Sequence, residues 1–198
     1  MNTTTLIKSA VFTIALFTSI SGFSQDMMMK KDKMKTEKTV MVGGAEMYPS
    51  KTIVANAVNS EDHTTLVAAV KAAGLVDTLS SEGPFTVFAP TNAAFAKLPE
   101  GTVETLLQPE NLETLQTVLK NHVVAGKINA KDLLKLIKKG NGKATITTVS
   151  GGTLTAWLKD KDVYITDQNG NSAKVTIADV NQSNGVIHVI DTVVLPKS

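Results

Sequence analysis

Two hydrophobic periods divide this chain near residue 142, and the division limits its fold more than any other feature. Between Lys51 and Gly140 apolar residues recur at helical spacing: Ile53, Val54, Ala57 and Val58 in one stretch, and Leu66, Val67, Val70 and Ala73 in another. After residue 142 the chain becomes a series of runs rich in Val, Ile and Thr. Gly-Gly, Lys-Asp-Lys-Asp, Asn-Gly-Asn and Ser-Asn-Gly separate them as turns. Helices followed by strands, without βαβ alternation, predict an α+β domain whose second half is antiparallel. No internal repeat is present, so one domain is expected over residues 51–197.

The helical half carries its own punctuation. Helices are predicted over 52–59, 60–74, 92–97, 101–108, 109–122 and 129–140. Gly74 is placed just past the second as a C-terminal stop, and Pro109 sits in the first turn, where its missing N–H costs nothing. Asn129 is the expected N-cap of the last helix, with Gly140 as its stop. The stretch Gly83–Pro99, "GPFTVFAPTNAAFAKLP", switches from strand to helix within a few residues. Pro90 ends the strand at 85–89, and Thr91 is positioned to cap the helix that Asn92 opens. A nucleophile elbow requires G-x-S-x-G, and neither glycine is present, so Thr91 and Asn92 are read as structural.

The N-terminus reads as a secretory address. Lys8 precedes an apolar run from Ala10 to Ile20, and small residues follow, with cleavage expected near Ser24–Gln25. That run is too short to span a bilayer, which needs about 20 apolar residues, and no transmembrane segment is expected. The protein is therefore expected to be exported, periplasmic or extracellular. Without cysteine it has neither disulfides nor a lipid-modified cysteine. Residues 25–50 are read as a Met- and Lys-rich tether, with Val40, Val42 and Tyr48 able to dock on the domain. Aromatic residues make up only 5% of the chain, so aliphatic side chains must build most of the core. The net charge is +2 and all twenty cations are lysine. Absence of the planar arginine fork, with so small a net charge, argues against a nucleic-acid partner.

Side chains able to do chemistry are scattered. His63, His122 and His188 lack metal-ligand spacing, and no metal or other cofactor is expected. His188 and Asp191 lie in the run "VIHVIDTVVLP", whose two faces are both apolar, so a central strand is predicted. A carboxylate there needs partners. Asp191 is expected to accept hydrogen bonds near the Thr91–Asn92 turn. The thioethers of Met27, Met28, Met29, Met34, Met41 and Met47 form a soft-ligand set suited to weak Cu(I) binding by the tether. "KKGNGKAT" has one residue between its glycines where a phosphate loop needs four, and is read as a helix end and turn. Lys127, Lys131, Lys135, Lys138, Lys139 and Lys143 make a basic neighbourhood able to meet anionic polysaccharide or lipid headgroups. Asn181 begins a glycosylation sequon, Asn181-Gln182-Ser183.

The order of three motifs, "GPFTVFAPTNAAF" at 83–95, "LKNHVVAGKI" at 119–128 and "GVIHVIDTVVLP" at 185–196, resembles the fasciclin (FAS1) domain family. The lead-in "TLVAAVKAAGLVDTL" is similar to that family's helix before the first box. The resemblance implies a strand-rich wedge with a layer of short helices. It also implies a non-catalytic, extracellular adhesion or matrix module whose partner is a cell-surface or matrix protein or polysaccharide. His122 reads from its surroundings as a half-buried hydrogen-bonding residue. Because the family's interaction box falls here, Asn121, His122, Val123 and Val124 are the binding candidates. Asn121 stands where the family usually has Tyr before its His, so the resemblance does not extend to the integrin binding that vertebrate relatives attribute to that pair. The alternative is a carrier that holds a small apolar ligand between strands and helices. A hydrolase is the weakest reading, for want of a nucleophile–base motif.

Overall fold

The computed structural model describes residues 37–197. The first element is a hairpin, β1 (Val40–Val42) and β2 (Ala45–Met47). Gly43 and Gly44 form its turn, both at positive φ, which a tight two-residue hairpin demands. Val42 and Met47 are buried in the core, so the packed domain begins upstream of Lys51 and the 25–50 stretch is not tether throughout. Met47 is enclosed and Met41 exposed, which divides the expected thioether set; Met27, Met28, Met29 and Met34 lie outside the described residues.

Short helices follow: α1 (Ile53–Ala57), α2 (Thr64–Ala72) and α3 (Val76–Ser80). Helical periodicity alone does not reveal α3. Gly74 takes φ +67°, ends α2, and the chain restarts at once in a new direction. Then come β3 (Phe85–Pro90), α4 (Asn92–Phe95), α5 (Thr102–Leu106), α6 (Leu112–Asn121), β4 (Val123–Ala125) and α7 (Ala130–Lys139). Pro109 opens a single 3₁₀ turn leading into α6. Five strands complete the chain: β5 (Lys143–Thr147), β6 (Thr153–Lys159), β7 (Asp162–Thr166), β8 (Ser172–Gln182) and β9 (Gly185–Ile190).

Seven strands form one sheet in the order β4-β3-β9-β8-β7-β6-β5. Every neighbouring pair is antiparallel except β3 and β9, which run parallel from Phe85↔Gly185 to Pro90↔Ile190. A parallel pair needs a long crossover, and here residues 91–184 supply it. Both strands are buried on two faces. Val87, Ala89, Ile187 and Val189 pack toward α1, α2, α6 and the hairpin, while Phe88 and Ile190 pack toward α7 and β5–β7. Continuous apolar runs are what such doubly covered strands require.

The Thr91 hydroxyl accepts from the Ala94 N–H at 3.2 Å and caps α4. Thr91→Ala is expected to cost about 1 kcal/mol, and an unchanged urea midpoint would contradict that role. At α7 the cap differs from expectation. Asn129 occupies the N-cap position without a side-chain capping bond, and the Ala130 N–H instead donates to Asp179 at 2.7 Å. Asp179 sits at φ +58° in an irregular part of β8, which turns its carboxylate toward the helix. "KKGNGKAT" is the end of α7, the turn and the start of β5. Asn181 lies in β8, half-buried, with its amide donating to the Asp179 carbonyl at 2.9 Å.

Candidate functional site

The residues proposed from sequence as a binding box lie inside the protein. Asn121, His122, Val123 and Val124 are all 5% exposed or less. Leu115, Val118 and Leu119 draw α6 into the core, and the chain enters β4 directly afterwards, so its last turn is carried inward. The His122 Nδ1–H donates to the Val118 carbonyl at 2.8 Å, and Nε2 accepts from the Val194 N–H at 3.1 Å. Burial pushes this imidazole down to about 4, against the opposing pull of the Val118 carbonyl and the Asp167 charge. Asn121 donates to the Val194 carbonyl at 3.3 Å and accepts from Thr148 and Ser150. Together these side chains strap the C-terminal segment to the domain. Asp167 and Asn169 extend the strap by bonding the Leu195 N–H and the Pro196 carbonyl. The expectation that this box meets a partner directly is corrected by its burial.

The second sequence-derived group is also structural in position. His188 is 1% exposed, stacks on Phe88 at 5.7 Å, donates to the Ile128 carbonyl and accepts from the Asp179 N–H. Burial lowers its affinity for a proton. Asn92 binds the segment before α2, donating to the Glu61 carbonyl and the Thr64 hydroxyl and accepting from the Thr65 N–H. Asp191 departs from expectation. It lies just beyond β9, half-buried, and accepts from the Lys174 N–H at 2.8 Å and the Thr192 hydroxyl at 3.0 Å. Neither Thr91 nor Asn92 is its partner. Its nearest link to the first box is an exposed ion pair at 3.4 Å with Lys97, two residues beyond that box, a kind of contact worth little. The β3–β9 ladder ties the two boxes together.

The carrier alternative expected a site between strands and helices, but apart from His122 and Val123 none of its lining was named from the sequence as a binding candidate. A groove enclosing about 100 Å³ lies between α1, α2 and α3 on one side and β3 with the α6–β4 junction on the other. Ile53, Leu66, Val70, Leu79 and Val87 line its interior, and half-buried Val54, Val67 and Val76 stand nearer solvent. His122 and Val123 are also in the lining, so the sequence-derived box touches the site from beneath. Lys71 and Lys120 are its charged members, and no acidic side chain among the described residues lines it. Three short helices each offering two or three inward apolar residues were the available signal, but their mutual placement is tertiary.

A second surface lies on the far side of the sheet. Lys131, Lys135, Lys138 and Lys139 recur at i, i+4, i+7 and i+8 along α7, opposite buried Leu133 and Ile137. All four are exposed, as are Lys127 and Lys143. Lys135 pairs with Asp132 at 3.1 Å; none of the other five has an ion-pair partner among the described residues.

The fasciclin domain model matches residues 61–196, which span every element from the Glu61–His63 3₁₀ turn before α2 through the C-terminal strap. This chain belongs to the fasciclin family. It is 48% identical to protein sll1483 of Synechocystis over 92% of this chain and 96% of that one. It is 35% identical to the cell surface glycolipoprotein MPB83 of Mycobacterium bovis over 63% of this chain and 49% of that one. Among solved structures, the FAS1 domain pair of the insect cell adhesion molecule Fasciclin I superimposes with a TM-score of 0.65 over 81% of this chain and 58% of that one, at 19% identity. The fasciclin fold is thus shared with a chain from which the sequence has diverged widely. No helix among the described residues is long and apolar enough to cross a membrane.

Proposed function

We propose that this fasciclin domain is an exported, non-catalytic interaction module that associates with a cell surface or matrix through anionic polysaccharide. The observation that carries this reading is the lysine ridge of α7. Its four cations share one exposed helix face, and one acidic side chain offsets them. A solvated helix face usually mixes charges of both signs, whereas a one-sign ridge attracts a polyanion. Lysine presents a compact point charge, which suits loose, salt-sensitive association more than fixed bidentate recognition. Export is supported by the charged, apolar and small-residue order of residues 8–24. The cell-surface and cell-adhesion descriptions of two relatives agree with that setting.

Retention on alginate beads tests the proposal. Wild-type protein is expected to bind at low salt and to elute as salt shortens the screening length. A variant carrying Lys131→Gln, Lys135→Gln, Lys138→Gln and Lys139→Gln is expected to lose roughly tenfold or more in affinity, since each exposed contact contributes a few tenths to 1 kcal/mol. Equal retention of wild type and variant would overturn the assignment to α7.

A second reading is favoured by a separate observation. The groove under the first three helices is apolar and partly enclosed, as expected for the carrier of a small apolar ligand.

A further inference from the structure

We infer that the groove binds one long-chain carboxylate, with its acyl chain among the aliphatic side chains and its headgroup held by Lys71 and Lys120. This inference rests on the carrier reading and names its ligand class. Apart from the two lysines, Thr78 and His122, every residue lining the groove is apolar. Both His122 nitrogens are already engaged by backbone groups. The recognition chemistry available is therefore hydrophobic contact and positive charge, with the Thr78 hydroxyl as the one neutral polar group.

Both charges belong to the lining of the groove. Lys71 is in the last turn of α2 and Lys120 in the last turn of α6. Gln116, one turn before Lys120, donates to the Ala73 carbonyl at 2.9 Å and so ties α6 to the end of α2 that carries Lys71. Neither lysine has an ion-pair partner among the described residues. A lysine in a last turn also offsets the helix dipole, but that role needs only proximity to the helix end, not a place in the lining of an apolar groove. An uncharged ligand would cover the lysines without compensating them, whereas a carboxylate gives each a partner as the site loses water.

Size narrows the ligand further. A cavity of about 150 Å³ holds a benzene ring, so about 100 Å³ admits a slender chain more readily than a bulky ring system. Several methylenes fill the enclosed part, and the rest of the molecule lies along the open mouth. Each methylene that enters is expected to tighten binding about fourfold until the enclosed space is filled.

The test is calorimetric titration of the full mature protein with octanoate, decanoate, dodecanoate and tetradecanoate, each below its micelle concentration, and with decanol. The expected result is one saturable site, affinity rising with chain length to a plateau, and decanoate binding more tightly than decanol. In a Lys71→Gln, Lys120→Gln variant with an unchanged urea midpoint, carboxylate affinity is expected to fall roughly tenfold while decanol binding stays the same. Val67→Trp, a half-buried lining position, is expected to block both. Equal binding of decanoate and decanol, or indifference to the lysine substitutions, would overturn the carboxylate assignment and leave an apolar carrier. Binding of neither probe would overturn the carrier reading as well.

Discussion

Asn184→Ala is expected to destabilise the protein by about 4 kcal/mol, a large share of the ~5–15 kcal/mol that holds most domains, and to loosen the groove at the same time. The Asn184 side chain is buried and serves three backbone groups at once. Its carbonyl accepts from the Ile53 N–H at 2.9 Å, at the start of α1, and its amide donates to the Leu79 and Ser81 carbonyls, both at 2.9 Å, at the end of α3. Truncation strands all three, and a buried group left without a partner costs about 1–3 kcal/mol. Because α1 and α3 are walls of the groove, the same change should weaken decanoate binding even where the protein remains folded. Urea unfolding at constant m-value would read the stability loss. A shift below about 1 kcal/mol would show that water or relaxation satisfies the freed groups.

Acid is expected to weaken the fold through its buried histidines, with His122 foremost. Its folded-state value of about 4 lies below the ordinary 6.5. Above about pH 6.5 the ring is neutral whether the chain is folded or not, so pH has no effect through this group. Between those values the unfolded chain takes up a proton that the folded chain refuses, and stability falls as pH falls. The loss reaches about 3 kcal/mol near pH 4 from His122 alone. Burial shifts His63 and His188 in the same direction. The lowered carboxyls of Asp132 and Asp191 add further loss below their own ordinary range. His122→Gln, whose amide can donate to the Val118 carbonyl and accept from the Val194 N–H, is expected to flatten the slope of melting temperature between pH 6.5 and 4. A slope equal to that of wild type would remove His122 as its source.

Most of the fold was legible because its signals are local. The change of period near residue 142 separated helices from strands, and the turn chemistry divided the last part into four or five runs, which are five strands. Apolar residues on both faces of 185–190 marked a central strand, and β9 is one. The elements missed were those whose cause is not periodic. The β1–β2 hairpin has three residues per strand and looked like linker until Val42 and Met47 met the core. The third helix begins two residues after Gly74, so the stop that ends α2 hides it. Asp179, which caps α7 from 49 residues away, leaves no trace near the helix it serves.

The sequence by itself determined the α+β class, the order of motifs that marks a fasciclin domain, the Pro90–Thr91 stop and cap, and the lysine spacing of α7, because each depends on residues close in the chain. Only the tertiary structure decided that β3 and β9 run side by side in parallel and that Asn121 and His122 face inward to hold the C-terminal strap. It alone also decided that α1, α2 and α3 border an apolar groove whose lining includes Lys71 and Lys120. The reason is physical: burial and enclosure depend on what distant segments cover, and no period or motif within one segment records which neighbour will cover it.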